Sequence, residues 1–302
     1  MRVVITGGSG LIGRALAAEL AGAGHEVGVT SRSPESVGDL PAGVEAAEWD
    51  TVSASQLAAL IEGVDAVVHL TGEGIADGRW TGERKRRIRD SRVRSTAAVS
   101  EAVAAAGSRP AVLVQASGID YYGARDDEEV TEATPPGQGF LPEVCMAWEE
   151  AGAPAEELGV RRVVARTGVV LSTDGGALPE MALPFKLFAG GPVAGGSQWM
   201  SWIHLEDEVG ALRFLIEEPT ASGPYNLVSP RPVTNRVFSH ALGRALHRPS
   251  LIPVPGLALR VLYGEMASLL TEGRRALPRR LLEAGYTFRH PEVAEALADL
   301  LR

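Results

Sequence analysis

The chain has 302 residues, 45% of them hydrophobic and 22% charged, enough for one large α/β domain with a smaller appendage. Its formal net charge of −9 argues against nucleic acid or an anionic membrane as the main partner, because both reward basic surfaces. A lone cysteine, Cys145, excludes an intrachain disulfide and suits a reducing, cytoplasmic setting, and no run approaches the ~20 apolar residues that span a bilayer.

From the N terminus, Val3–Thr6 is a short valine-rich run that reads as a buried strand, not a signal peptide. A helix is predicted over Leu11–Ala23 and a strand over His25–Ser31, then a helix over Ser55–Glu62 and a strand over Asp65–Leu70. Next come a helix over Glu83–Ala106, a strand over Ala111–Ala116, a helix over Gly139–Leu158 and a strand over Arg162–Arg166. Strand–helix alternation with valine-dense strands implies a parallel sheet buried on both faces. Glycine and proline crowd Gly175–Gly196, which predicts mobile loops over a cleft. The tail from about Asn235 reads as mostly helical, broken at Pro249, Pro253, Pro255 and Pro278. The expected division is residues 1–220, with substrate-side loops at 172–200, and a smaller part at 221–302 that walls the cleft.

The motif Thr6-Gly7-Gly8-Ser9-Gly10-Leu11-Ile12-Gly13 follows the first strand and opens the first helix. That context makes it a dinucleotide fingerprint, not a bare glycine-rich turn. Gly7 permits the tight turn, Gly10 lets a pyrophosphate reach the backbone, and Gly13 lets the helix pack on the sheet. The helix N-terminus then offers N–H groups and positive potential to the anion. The fold class is therefore a doubly wound Rossmann sheet with a smaller, mostly helical C-terminal region on the substrate side. At the end of the second strand, where an acid would bind a ribose hydroxyl, the chain reads Thr30-Ser31-Arg32-Ser33. Arg32 offers a cation to a 2′-phosphate and Ser31 a hydroxyl, so the expected cofactor is NADP(H).

With these motifs the chain resembles an extended, atypical short-chain dehydrogenase/reductase of the NAD-dependent epimerase/dehydratase superfamily. Within it, the chain is similar to the "epimerase family proteins", some of them described as nucleoside-diphosphate-sugar epimerase-like. The matching segments include Gly7–Gly13, Ser31-Arg32, His69–Glu73, Ser117–Gly123, Arg166–Leu171, Gln198–His204 and Asn226, and the tail from about Leu251. The resemblance implies that Leu70, Thr71, Gly72 and Glu73 lie beside the cofactor. It places Asp50 near the adenine, and Arg92 where many relatives carry an asparagine and where it reaches the cofactor.

Such enzymes move hydride with a hydroxyl residue, a tyrosine and a lysine four residues later, the lysine lowering the tyrosine pKa from about 10. Here the register puts Leu141 at the tyrosine and Cys145 at the lysine, and neither performs that chemistry. The remaining catalytic candidates are Ser117, Tyr121 and Tyr122, with Asp120 either polarising a tyrosine or facing water. Trp199 and Trp202 either stack on substrate or belong to the core. His204 and Asp207 resemble a structural His-x-x-Asp element, and no metal site is expected because the histidines are scattered. The basic run Arg84-Lys85-Arg86-Arg87 reads as a solvated helix face, since no aromatics interleave it. Three functions stay open: an NADP-dependent oxidoreductase or epimerase acting on a nucleotide sugar or another small carbonyl compound; an NADP(H)-binding regulator without turnover; and a scaffold for protein partners.

Overall fold

In the computed structural model, which describes residues 1–38 and 40–302, the strands β1 (Arg2–Thr6), β2 (Glu26–Ser31), β3 (Glu45–Glu48), β4 (Ala66–His69) and β5 (Val112–Gly118) lie in one parallel sheet. Strands Arg161–Thr167 and Gly223–Leu227 complete it, giving seven in the order Gly223–Leu227, Arg161–Thr167, β5, β4, β1, β2, β3. The chain winds outward from β1 to β3, then returns to the other side of β1 with β4. That reversal opens a crevice at the C-terminal ends of β1 and β4, where doubly wound sheets bind ligands.

Side chains alternate along each strand, so both faces carry a core. Val3 and Ile5 face the layer of α1 (Leu11–Gly22) and helix Leu205–Glu217, among Leu16, Leu20 and Leu212. Val4 faces the opposite layer of α2 (Ala54–Leu60) and α3 (Gly82–Ala105), among Leu57, Ile61 and Val99. Helix α4 (Phe140–Gly152) packs beside α3.

The alternation expected over the first 170 residues is present, and four elements along the chain differ from expectation. Glu45–Glu48 forms an edge strand although its sequence, Glu-Ala-Ala-Glu, carries no strong apolar run. Gly223–Leu227 contains glycine and proline yet pairs with Arg161–Thr167; as an edge strand it tolerates a missing donor. The sheet therefore extends past the expected boundary at residue 220. The helix expected over Gly139–Leu158 stops at Gly152 and restarts as the turn Pro154–Glu157, proline taking the first position of the new segment. Within the Gly/Pro-rich stretch, Ala177–Lys186 is a helix whose Leu178, Ala182 and Phe185 are buried.

The C-terminal region is tied back to the sheet by polar anchors. The Asp207 carboxylate accepts the N–H groups of Arg289 (2.7 Å) and His290 (2.8 Å) and the Tyr286 hydroxyl (3.3 Å). Helix Val293–Leu300 packs on helix Asn235–Ala245 around Trp202, Phe238 and Leu297. Strand Arg275–Ala276 pairs in parallel with Glu129–Val130, and Lys85 forms an ion pair with Glu265. No helix among the described residues is long and apolar enough to cross a membrane.

Candidate functional site

The glycine loop closes on itself and on β4. Gly7 has φ of 75°, and a Cβ there would stand 3.0 Å from the backbone of Leu70 and Thr71. A Cβ on Gly13 would lie 2.5 Å from the Gly7 carbonyl, which is why the helix can pack so close. Gly10 differs: a Cβ there would meet one atom within 4 Å, the Gly7 oxygen at 3.3 Å, and its other side is open. Gly10 also precedes α1 with no side-chain cap, and the first turn holds no acid. Ser9 is exposed and Leu11 and Ile12 are half-buried. The N–H groups of this turn are left for an outside acceptor.

Beyond β2, the Ser31 hydroxyl accepts the Ser33 N–H at 3.2 Å. Arg32 is exposed and makes no ion pair or hydrogen bond among the described residues. Asp50 follows β3; its Oδ1 accepts the N–H groups of Val52 (2.8 Å) and Ser53 (2.7 Å), which holds its pKa below the ordinary value. A cavity of about 360 Å³ lies between this loop and α3, lined by Val52, Glu73, Ser91 and Arg94 among others.

At the end of β4, a buried imidazole pins three elements. His69 Nδ1 is 2.6 Å from the Thr6 hydroxyl and its Nε2 is 3.1 Å from that of Ser95, while burial pushes its pKa down to about 3. Thr71 donates its hydroxyl to Thr6 at 3.3 Å. Arg92 lies over Gly72, where a Cβ would sit 3.2 Å from the guanidinium carbon. It donates to the backbone oxygens of Glu73 (2.9 Å) and Ile88 (3.0 Å) and covers the Trp148 ring at 5.0 Å. Burial pulls its pKa below the ordinary guanidinium value. The Glu73 carboxylate turns away, to Arg84 and to Arg87 Nε at 3.3 Å. Glu73 and Arg92 thus share the crevice edge but meet through the backbone, not as an ion pair.

The end of β5 holds a buried polar network. Ser117 donates to Glu149 Oε1 at 2.6 Å. Arg166 grips the same carboxylate twice, at 2.9 and 2.8 Å, and donates to the Tyr122 oxygen at 3.0 Å. Tyr122 in turn donates to Asn226 at 2.6 Å. Burial opposes the Arg166 charge, yet its bonds to Glu149 hold its pKa above the ordinary value; burial pushes Tyr122 up to about 12. The ring of Tyr121 is covered by the Arg166 guanidinium at 3.5 Å, and its hydroxyl makes no hydrogen bond among the described residues. Ser117 and Tyr122 therefore have their hydroxyl protons committed inside the protein, and Tyr121 does not.

The two positions where the register expects tyrosine and lysine are largely withdrawn from water. Leu141 packs in a cluster with Trp80, Ile88 and Met266. Cys145 is buried, and desolvation with the charges of Asp120 and Glu149 pushes its thiol up to about 12, an inert state. Trp202 is core, fully buried; Trp199 donates its indole N–H to Asp127 at 2.8 Å and is covered by Arg275. His204, His290 and Asp299 gather within 4.8 Å. His204 Nδ1, however, accepts the Glu206 N–H at 3.1 Å as a helix cap, which puts the ring proton on Nε2, and a protonated nitrogen is no ligand.

The NAD dependent epimerase/dehydratase family profile matches residues 3–229, and a domain of unknown function (DUF1731) matches residues 254–300. The chain belongs to this family. An epimerase family protein of Mycobacterium bovis is 45% identical over 98% of this chain and 96% of its own length. The mouse epimerase family protein SDR39U1 is 37% identical over the whole of both chains. Among solved structures, human epimerase family protein SDR39U1 (isoform 2), crystallised with NADPH, superposes with a TM-score of 0.88 at 34% identity, covering 100% of this chain and 99% of that one.

Three members of the site went without a role in the sequence: Glu149, Arg274 and, although it lies in a matching segment, Arg166. A signal for two was present. Arg166 closes an otherwise apolar run, Val163-Val164-Ala165, in a strand that reads as buried, and Glu149 falls beside Trp148 on a helix face that reads as buried. Charges in such places are paired or they are not tolerated. Arg274 carried no signal, because its partner Asp120 is 154 positions away.

Proposed function

We propose that this epimerase family member binds NADP(H) and acts as an oxidoreductase or epimerase on a small carbonyl or hydroxyl substrate. The observation that carries the reading is the uncapped N-terminus of α1 at Gly10, open to one side, with an unpaired Arg32 beyond it. In this reading Gly7, Ser9, Gly10, Leu11, Ile12 and Gly13 hold the pyrophosphate, and Ser31 and Arg32 the 2′-phosphate. Asp50 is the adenine-side residue, the cavity beside Val52 taking the base. Leu70, Thr71, Gly72, Glu73 and Arg92 line the ribose and nicotinamide path. When bound, the cofactor supplies or accepts a hydride. The protein supplies shape and protons: Tyr121, with its free hydroxyl under Arg166, gives the proton to the developing alkoxide, while Ser117 and Tyr122 hold that arrangement. The lone thiol suits a cytoplasmic protein.

A second reading, an NADP(H)-binding regulator without turnover, is favoured by one observation, the apolar packing of Leu141 together with the burial of the Cys145 thiol. Fluorescence titration with NADPH and NADH tests the cofactor. The wild type should prefer NADPH, and Arg32→Asp should lower that preference by about 10- to 100-fold, the worth of a charged hydrogen bond. Equal affinity of the wild type for both cofactors sinks the assignment. Single-turnover oxidation of bound NADPH by a panel of carbonyl compounds separates enzyme from regulator. Tyr121→Phe should slow that turnover and leave NADPH affinity nearly unchanged.

A further inference from the structure

The segment around Arg274 belongs to the part matched as a domain of unknown function, and it is threaded into the site from outside the Rossmann sheet. The Gly273 carbonyl accepts the Arg125 N–H at 3.1 Å, and the Arg274 carbonyl accepts the Ser201 hydroxyl at 2.7 Å. The same Ser201 oxygen accepts the Ala276 N–H at 3.0 Å, and Arg275–Ala276 is a strand on Glu129–Val130. A side chain at Gly273 would collide with the Trp199 backbone. With its backbone fixed on both sides, Arg274 reaches the end of β5 and forms an ion pair with Asp120. The other Asp120 oxygen lies 3.6 Å from where a Cβ on Gly118 would stand.

This guanidinium is under-used. Its side chain is only 12% exposed, Asp120 is its sole hydrogen-bond acceptor among the described residues, and its Nε is buried with no partner. A buried cation with an unused N–H group is costly to keep, and its orphaned Nε–H calls for an acceptor. The planar fork of arginine matches a carboxylate, and the resident Asp120 carboxylate already occupies part of it. Gly118 carries no side chain to fill the space alongside, and Arg92 is close enough to feel the Asp120 charge from across the crevice.

We propose that Arg274 is the anion contact of the substrate site, taking a carboxylate carried by the substrate in exchange for Asp120. The substrate class is then a small carbonyl compound with a carboxylate next to the reacting carbon. The identity of the reacting carbon rests on the proposed function, whereas carboxylate binding at Arg274 does not. The test is calorimetric titration of the full chain, free and saturated with NADPH, with oxamate, whose carboxylate adjoins a carbonyl, and separately with inorganic phosphate. Oxamate should bind saturably to the wild type, and Arg274→Gln should weaken it by at least about tenfold with NADPH affinity unchanged. Arg274→Lys, which keeps the charge and loses the fork, should also weaken it, and it serves if the glutamine variant does not fold. Asp120→Asn should tighten oxamate by removing the competing charge. The proposal is overturned if oxamate does not bind, if it binds Arg274→Gln as it binds the wild type, or if phosphate alone shows the Arg274 dependence. Failure of NADPH to bind the wild type would instead overturn the proposed function, and the oxamate arm on the free protein would still decide the role of Arg274.

Discussion

The two ends of the crevice are built on opposite plans. At the β1 end, backbone does the work: glycines hold a loop that leads into the uncapped N-terminus of α1, with His69 fixing it from behind. At the β5 end, side chains do the work: Glu149 and Arg166 form a buried pair that positions Ser117, Tyr121 and Tyr122, and a residue from the C-terminal region completes the set. A backbone site is local and tolerates variation around it. A side-chain network needs every partner, because each one removed leaves a buried charge.

Substitution at each end sharpens the contrast. Gly10→Val should leave a folded protein, since φ of −75° and ψ of 170° suit a valine, yet NADPH affinity should fall at least about 100-fold. That estimate counts two charge-assisted hydrogen bonds of about 1.5 kcal/mol each. A cofactor titration with a parallel thermal melt measures both, and unchanged affinity would mean the loop is only a turn. Glu149→Ala should do the reverse. Stranding buried Arg166 costs about 3–5 kcal/mol, seen as a Tm drop of roughly 10 °C, while NADPH affinity changes little. If cofactor affinity falls as steeply as stability, the two ends are one cooperative unit and the contrast is wrong.

A pH-linked effect probes the border between them. Glu208 is buried, accepts the Thr167 hydroxyl at 2.7 Å, and burial pushes its pKa up to about 8 from an ordinary 4.5. Between those values the unfolded chain releases a proton that the fold retains, so stability falls as pH rises through the window and levels off above about 8. Glu208→Gln keeps the acceptor for Thr167 and removes the titration. Its Tm advantage over wild type should be absent near about pH 4.5 and grow toward about pH 8. A constant difference across that range would place the Glu208 proton elsewhere.

The plan of each end explains how much of it was legible. The β1 end is encoded within a few consecutive residues, Thr6–Gly13, and Ser31-Arg32 follows one strand later. Glycine spacing is a direct record of backbone geometry. The valine-rich inner strands were equally plain, whereas the edge strands Glu45–Glu48 and Gly223–Leu227 were not, because an edge strand needs less apolar surface. At the β5 end, Leu141 and Cys145 told what was missing, but the replacement is assembled from β5, α4, the strand Arg161–Thr167, Asn226 and Arg274. No local pattern records which of several charged residues will meet across such distances.

The 154 positions between Asp120 and Arg274 also set an order of events during translation. At about 5–20 residues per second, the ribosome delivers Arg274 on the order of ten seconds after Asp120. The nascent chain can shape its glycine loop early, but for that interval Asp120 has no cation from the C-terminal region, and the parallel pairing of Arg275 with Glu129 does not yet exist. A chain stalled before that point would carry the glycine loop of the crevice without the cation and the strand that complete its β5 end.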